Sequence, residues 1–125
     1  MRLLLDTHVF VWWLLTPERL SGRTREAIAE AGASVYVSAV SAWEIAIKKA
    51  TGKLDVPGDV EAQIRANRFT PLSISVAHAA ATEHLPPHHR DPFDRMLVAQ
   101  ARVEHLTLVT RDAQLGAYGV EILPA

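Results

Sequence analysis

The 125-residue sequence contains no cysteine. That excludes disulfide bracing, a thiolate metal site and a thiol nucleophile, and it makes the cytoplasm the expected compartment. The chain also lacks an excess of either charge: 13 Lys and Arg stand against 14 Asp and Glu, a net of −1. A polyanionic partner would have to be drawn by local cations, because the chain as a whole exerts no pull on it. The basic lead and small-residue cleavage site of a signal peptide are missing. The apolar opening "LLLDTHVFVWWLL" is interrupted by Asp6 and His8 and is too short to cross a bilayer, so no membrane partner is expected. Long linkers, repeats and low-complexity tracts are absent too. What remains is a globular composition, 49% hydrophobic and 22% charged, at a length that suits one domain over residues 1–125.

Apolar strand-like segments alternate with helical ones along the chain. "RLLL" (2–5), "SVYVS" (34–38), "PLSI" (71–74), "TLVT" (107–110) and "VEIL" (120–123) read as strands. Between them, helices are predicted over 8–15, 21–32, 41–53, 59–68, 75–85 and 92–105. Ser21 is expected to cap the second of these and Gly32 to close it. In "SAWE", Ser41 and Glu44 have the spacing of a capping box, with Trp43, Ile45, Ala46 and Ile47 on or near the apolar side of the helix. The alternation implies an α/β fold with a parallel sheet covered on both faces. In such sheets the ligand site lies beyond the carboxyl ends of the strands.

Four carboxylates are expected at that edge. Asp6 and Asp112 follow strands, and Glu44 and Asp94 stand near the starts of helices. Each has an ordinary explanation as a helix cap or first-turn acid. In "DPFD", Pro92 suits the first helical position, which makes Asp91 the cap and puts Asp94 at the third position. Together, however, four carboxylates in one cleft would repel one another. A divalent cation removes that conflict. An all-oxygen ligand set without cysteine favours Mg²⁺ or Mn²⁺ over zinc. Such ions suit metal-assisted hydrolysis of a phosphodiester.

The blocks "LLLDTHVFVWWL", "SAVSAWEIAIKKATGKL", "HRDPFDRMLVAQA" and "LVTRD", in this order along essentially the whole chain, resemble the PIN-domain ribonucleases. Within that family the resemblance is to the VapC toxins of bacterial toxin–antitoxin pairs. It implies a PIN-like three-layer sandwich, a central parallel sheet of four to five strands flanked by helices. It also implies an Mg²⁺- or Mn²⁺-dependent endoribonuclease inhibited by a small cognate VapB-like antitoxin. A homodimer, assembled into larger complexes with antitoxin, is implied as well. Carried over by position, the catalytic and metal-binding acids are Asp6, Glu44, Asp94 and Asp112. The third is Asp94 rather than Asp91, because "DRMLVAQA" continues as the family's helix does. Thr7 and Thr110 adjoin acidic positions where the family often places a hydroxyl, and are candidate supporting groups.

Lys48, Arg90, Arg95 and Arg111 flank the acids and are candidate RNA contacts. Lys48 also has the i,i+4 spacing of an ordinary helix ion pair with Glu44. His84, His88 and His89 fit no standard zinc spacing, and their prolines place them in an exposed loop, so no metal site is assigned there. His8 is not assigned as a base. Trp12 and Trp13 are neighbours and cannot face the same interior; Trp13 is expected in the core, leaving Trp12 for an interface with a second subunit or antitoxin. The basic-apolar face at 21–29 is a further candidate contact. A dehalogenase-type phosphatase would need an acid at position 8, where histidine stands. A receiver domain would need an aspartate after the third strand, where "PLSIS" offers none. The remaining alternative is a catalytically inactive PIN-like module that binds protein or RNA.

Overall fold

The computed structural model describes residues 1–31 and 34–125. Five strands, β1 (Leu3–Leu5), β2 (Val35–Ser38), β3 (Thr70–Leu72), β4 (Thr107–Thr110) and β5 (Ile122–Pro124), form one sheet in the order β3-β2-β1-β4-β5. Every pairing is parallel, with Leu3 opposite both Val35 and Thr107. Among the described residues, six α-helices accompany them: α1 (Thr7–Leu15), α2 (Gly22–Ala31), α3 (Ala39–Ala50), α4 (Val60–Ala66), α5 (Val76–Ala81) and α6 (Pro92–Glu104).

Alternation along the strands sorts the core into two layers. Leu3, Leu5, Val35, Val37 and Val109 pack with Val9 and Phe10 of α1, Ile28 of α2 and Ile64 of α4. Leu4 and Leu108 point the other way, to Leu97, Val98 and Ala101 of α6 and to Leu115 and Tyr118. The strands read as unbroken apolar runs because both faces are covered. The expected three-layer α/β architecture is therefore the one observed. Among the described residues, no helix is long and apolar enough to cross a membrane.

Local corrections have clear causes. Helix α3 begins at Ala39, earlier than the sequence predicts, because Ser38 at the end of β2 caps it by accepting from the Val40 amide. Ser41 is therefore inside the helix, and the Ser41–Glu44 capping box does not form. Val40, Ser41, Glu44 and Ile45 become the buried stripe, while Trp43 is 60% and Ile47 42% exposed. Ser21 does accept from the Thr24 amide at the start of α2, and Gly32 lies outside the described residues. The helix predicted over 75–85 ends at Ala81 and continues as a 3-10 turn over Thr82–His84.

The sheet order places chemistry. Strand order switches direction between β1 and β4, and a parallel α/β sheet opens a crevice at such a point, beyond the carboxyl ends of its strands. Asp6 follows β1 directly, and its amide donates to Val109 O of β4 at 3.0 Å. Asp112 comes two residues after β4.

Candidate active site

Each acid is fixed by the backbone beside it. Asp6 caps α1: its Oδ1 accepts from the Val9 amide at 2.8 Å. The Thr110 hydroxyl also bonds the Asp6 side chain. Asp112 caps the 3-10 turn Ala113–Tyr118, with its Oδ1 accepting from the Gln114 amide at 3.0 Å. The Asp112 amide in turn donates to Thr110 Oγ1 at 3.1 Å, so Thr110 ties the first acid to the fourth. Asp91 is the cap of α6, accepting from Phe93 N at 2.8 Å and Asp94 N at 3.4 Å, with Pro92 at the first position. Asp94 thereby keeps its carboxylate for the cleft. Asp91→Ala should cost about 1 kcal/mol of stability in urea denaturation, the usual worth of an N-cap.

Asp6, Asp94 and Asp112 line one cleft of about 300 Å³ together with His8, Trp12 and Arg111. Glu44 does not line it. It is 8% exposed, and Lys48 Nζ meets its Oε2 at 2.9 Å, as the i,i+4 spacing predicts. Its charge nevertheless acts on both Asp6 and Asp94. Burial raises the Asp6 carboxyl above its ordinary range, against the lowering pull of its hydrogen bonds. Asp94 is pushed up to about 7, first by burial, then by the neighbouring charge of Asp91, with Asp6 and Glu44 adding to it. The charges of Asp6 and Glu44 are thus near enough to act on Asp94.

The structure adds His89, a residue the sequence places in an exposed loop. Its Nε2 lies 3.0 Å from Asp112 Oδ2 and 3.5 Å from Asp94 Oδ2. Zinc spacing within one loop does not reveal it, because the partners of His89 arrive from α6 and from beyond β4. His88 instead packs edgewise on Tyr118, and His84 is exposed. Arg95 explains why the loop reaches the acids. Its guanidinium donates to the carbonyls of Thr82, Leu85, Pro86 and His89 and to the Tyr118 hydroxyl, at 3.0–3.3 Å.

Among the other cations, Arg111 lines the cleft, lies 4.3 Å over the Trp12 ring and donates to Arg19 O. Arg19 is 4.9 Å from the same ring. Trp12 is thus a wall of the acidic cleft. Trp13 packs against the core and Phe69 while its indole N–H reaches Asn67 Oδ1 at 3.0 Å. Arg90 is exposed. Thr7 Oγ1 donates to Ser41 Oγ at 2.9 Å, buried, which joins the start of α1 to α3.

The sequence that builds this five-stranded parallel sheet and its crevice matches a known family. The profile of the PIN domain fits residues 3–121, and the chain belongs to that family. Ribonuclease VapC22 of Mycobacterium tuberculosis (strain ATCC 25618 / H37Rv) is 33% identical over 118 residues, covering 92% of this chain and 90% of that protein. The DNA-bound VapBC of Salmonella typhimurium superposes with a TM-score of 0.75 at 17% identity, over 99% of this chain and 98% of that one. VapBC2 from Rickettsia felis, bound to a DNA fragment from its promoter, gives 0.72 at 14% identity over the same shares, 99% and 98%. At such identities the superpositions establish the fold, and the relative at 33% places the chain with VapC-type proteins.

Proposed function

We propose that this chain is an Mg²⁺- or Mn²⁺-dependent endoribonuclease of the VapC type, a single PIN-like domain inhibited in the cytoplasm by a small VapB-like antitoxin. The observation that carries the reading is the convergence of Asp6, Asp94 and Asp112 on one cleft, with Glu44 close enough for its charge to act on two of them. The 33% identity to a protein named as a ribonuclease supports the substrate class. A toxin–antitoxin complex from Klebsiella pneumoniae, whose chain superposes with a TM-score of 0.65, supports the partner. A homodimer, with larger assemblies formed around antitoxin, belongs to the same reading.

The donors fit a hard cation: they are carboxylate oxygens, buried or half-buried, in a cleft without cysteine. Asp6, Asp94 and Asp112 would hold it, while Glu44, expected from the sequence as a fourth ligand, is paired with Lys48 outside the cleft and would add its charge to the site. When bound, a divalent ion polarises the phosphoryl oxygen, makes the attacking water more acidic and offsets the charge on the leaving oxygen. The chain supplies the rest. Amides of Val9 and Gln114 and the Thr110 hydroxyl fix the Asp6 and Asp112 carboxylates before substrate arrives, so no reorganisation is needed during in-line attack. Arg111, which lines the cleft, would hold a phosphate of the RNA strand, and Lys48 and Arg90 are proposed as further RNA contacts. Arg95, expected from the sequence as an RNA contact, instead has its guanidinium engaged by the 82–89 loop and the Tyr118 hydroxyl and holds that loop.

The test is cleavage of total RNA by purified, antitoxin-free protein stripped of metal. Cutting should return with Mg²⁺ or Mn²⁺ and stop with EDTA. Cutting that ignores EDTA would refute the metal mechanism. Binding of RNA or antitoxin without any cutting, metal present, would favour the inactive binding module.

A further inference from the structure

By residue type and distance His89 qualifies as a metal ligand, because its ring nitrogen and one oxygen each of Asp94 and Asp112 lie within 4.8 Å of one another. The hydrogen bonds assign it a different part. The Asp91 amide donates to His89 Nδ1 at 3.2 Å, so Nδ1 is an acceptor and carries no proton. The ring proton is then on Nε2, the atom 3.0 Å from Asp112 Oδ2. A metal-bound histidine needs a free lone pair on the ligating nitrogen and usually donates its other N–H to a carbonyl or carboxylate. To ligate through Nε2, His89 would have to move its proton to Nδ1, where it would meet the Asp91 N–H donor to donor.

We infer that His89 is a positioning residue that holds the Asp112 carboxylate through Nε2–H and leaves the ligand set all-oxygen. This rests on the reading that the acids hold a divalent cation. Asp112 is where such help matters, since its side chain is 37% exposed against 26% for Asp94. Its two oxygens are each met by one donor, Oδ1 by the Gln114 amide and Oδ2 by His89. A carboxylate oxygen accepts about two hydrogen bonds, so each keeps a lone pair for a cation. The placement is itself braced, because Arg95 Nη1 donates to the His89 carbonyl at 3.3 Å.

The experiment uses the full chain with Mn²⁺ as the probe. Side-chain ¹⁵N NMR of the metal-free protein should find the His89 proton on Nε2, and a proton on Nδ1 overturns the inference. Pulsed EPR of the Mn²⁺ complex should show no directly bound imidazole nitrogen. His89→Ala should weaken Mn²⁺ binding by about 10- to 100-fold, the usual cost of losing an outer hydrogen bond to a ligand. His89→Gln, which keeps an N–H donor at the same reach, should restore most of that binding. Nitrogen coupling to Mn²⁺, or an alanine variant that binds as the wild type does, would overturn the positioning role and leave the nuclease reading standing. A wild type that binds no Mn²⁺ would remove that reading and this inference with it.

Discussion

Asp94→Asn should slow RNA cleavage by about a thousandfold or more, while making the metal-free protein more stable at neutral pH. The first effect follows from the charge that a divalent ion stabilises in the transition state. That is worth several kcal/mol, and each 1.36 kcal/mol is about tenfold in rate. The second follows from crowding. Unfolded, the carboxyl titrates at its ordinary value of 3.8; folded, it is pushed up to about 7. Between those values the folded state keeps a proton that the unfolded state has released, so stability falls as pH rises and levels off above about 7. Asparagine does not ionise and escapes that fall. The side chain is 26% exposed, and solvent screening reduces the gain to about 1–2 kcal/mol. Denaturation of both proteins at about pH 4.5 and about pH 8, near the two ends of this window, should show the gap opening only at the higher value. Metal should reverse the order. A cation at about a hundred times its Kd stabilises the wild type by about 2.7 kcal/mol, and the variant by much less.

Arg95→Lys should cost about 2–3 kcal/mol and weaken metal binding, although the charge is kept. One planar fork meets four carbonyls and a hydroxyl, from Thr82 to Tyr118. An ammonium has three donors on a single nitrogen and cannot span that set, so half-buried carbonyls lose their partners. His89 then loses its anchor, and Asp112 the donor on its outer oxygen. Urea denaturation and Mn²⁺ titration of the same variant check both parts. Full stability in Arg95→Lys would show that the loop is held by packing alone.

The fold was legible because its strands are short unbroken apolar runs separated by helical spacing, a pattern that belongs to covered parallel sheets. Asp6 and Asp112 were legible for the same reason: an acid just beyond a buried strand stands at the ligand edge. Asp94 needed the family resemblance carried by "DRMLVAQA", with Pro92 marking Asp91 as the cap. The start of helix α3 was not legible, because Ser41 has the spacing of a cap while Ser38, at the end of β2, reaches the first free amide. With the register moved, Trp43 and Ile47 turned outward, and Glu44 became buried by its place in the stripe. His89 could not be read at all. Its role depends on a loop folded back by a guanidinium, and long-range hydrogen bonds of that kind leave no periodic mark in the chain.

A crystal of the chain soaked with Mn²⁺ and measured at the manganese absorption edge addresses the central claim most directly. The account predicts an anomalous peak enclosed by the carboxylates of Asp6, Asp94 and Asp112, and its loss in Asp94→Asn. A cleft without that peak under saturating Mn²⁺, or a peak bound elsewhere with the three aspartates unengaged, would contradict it.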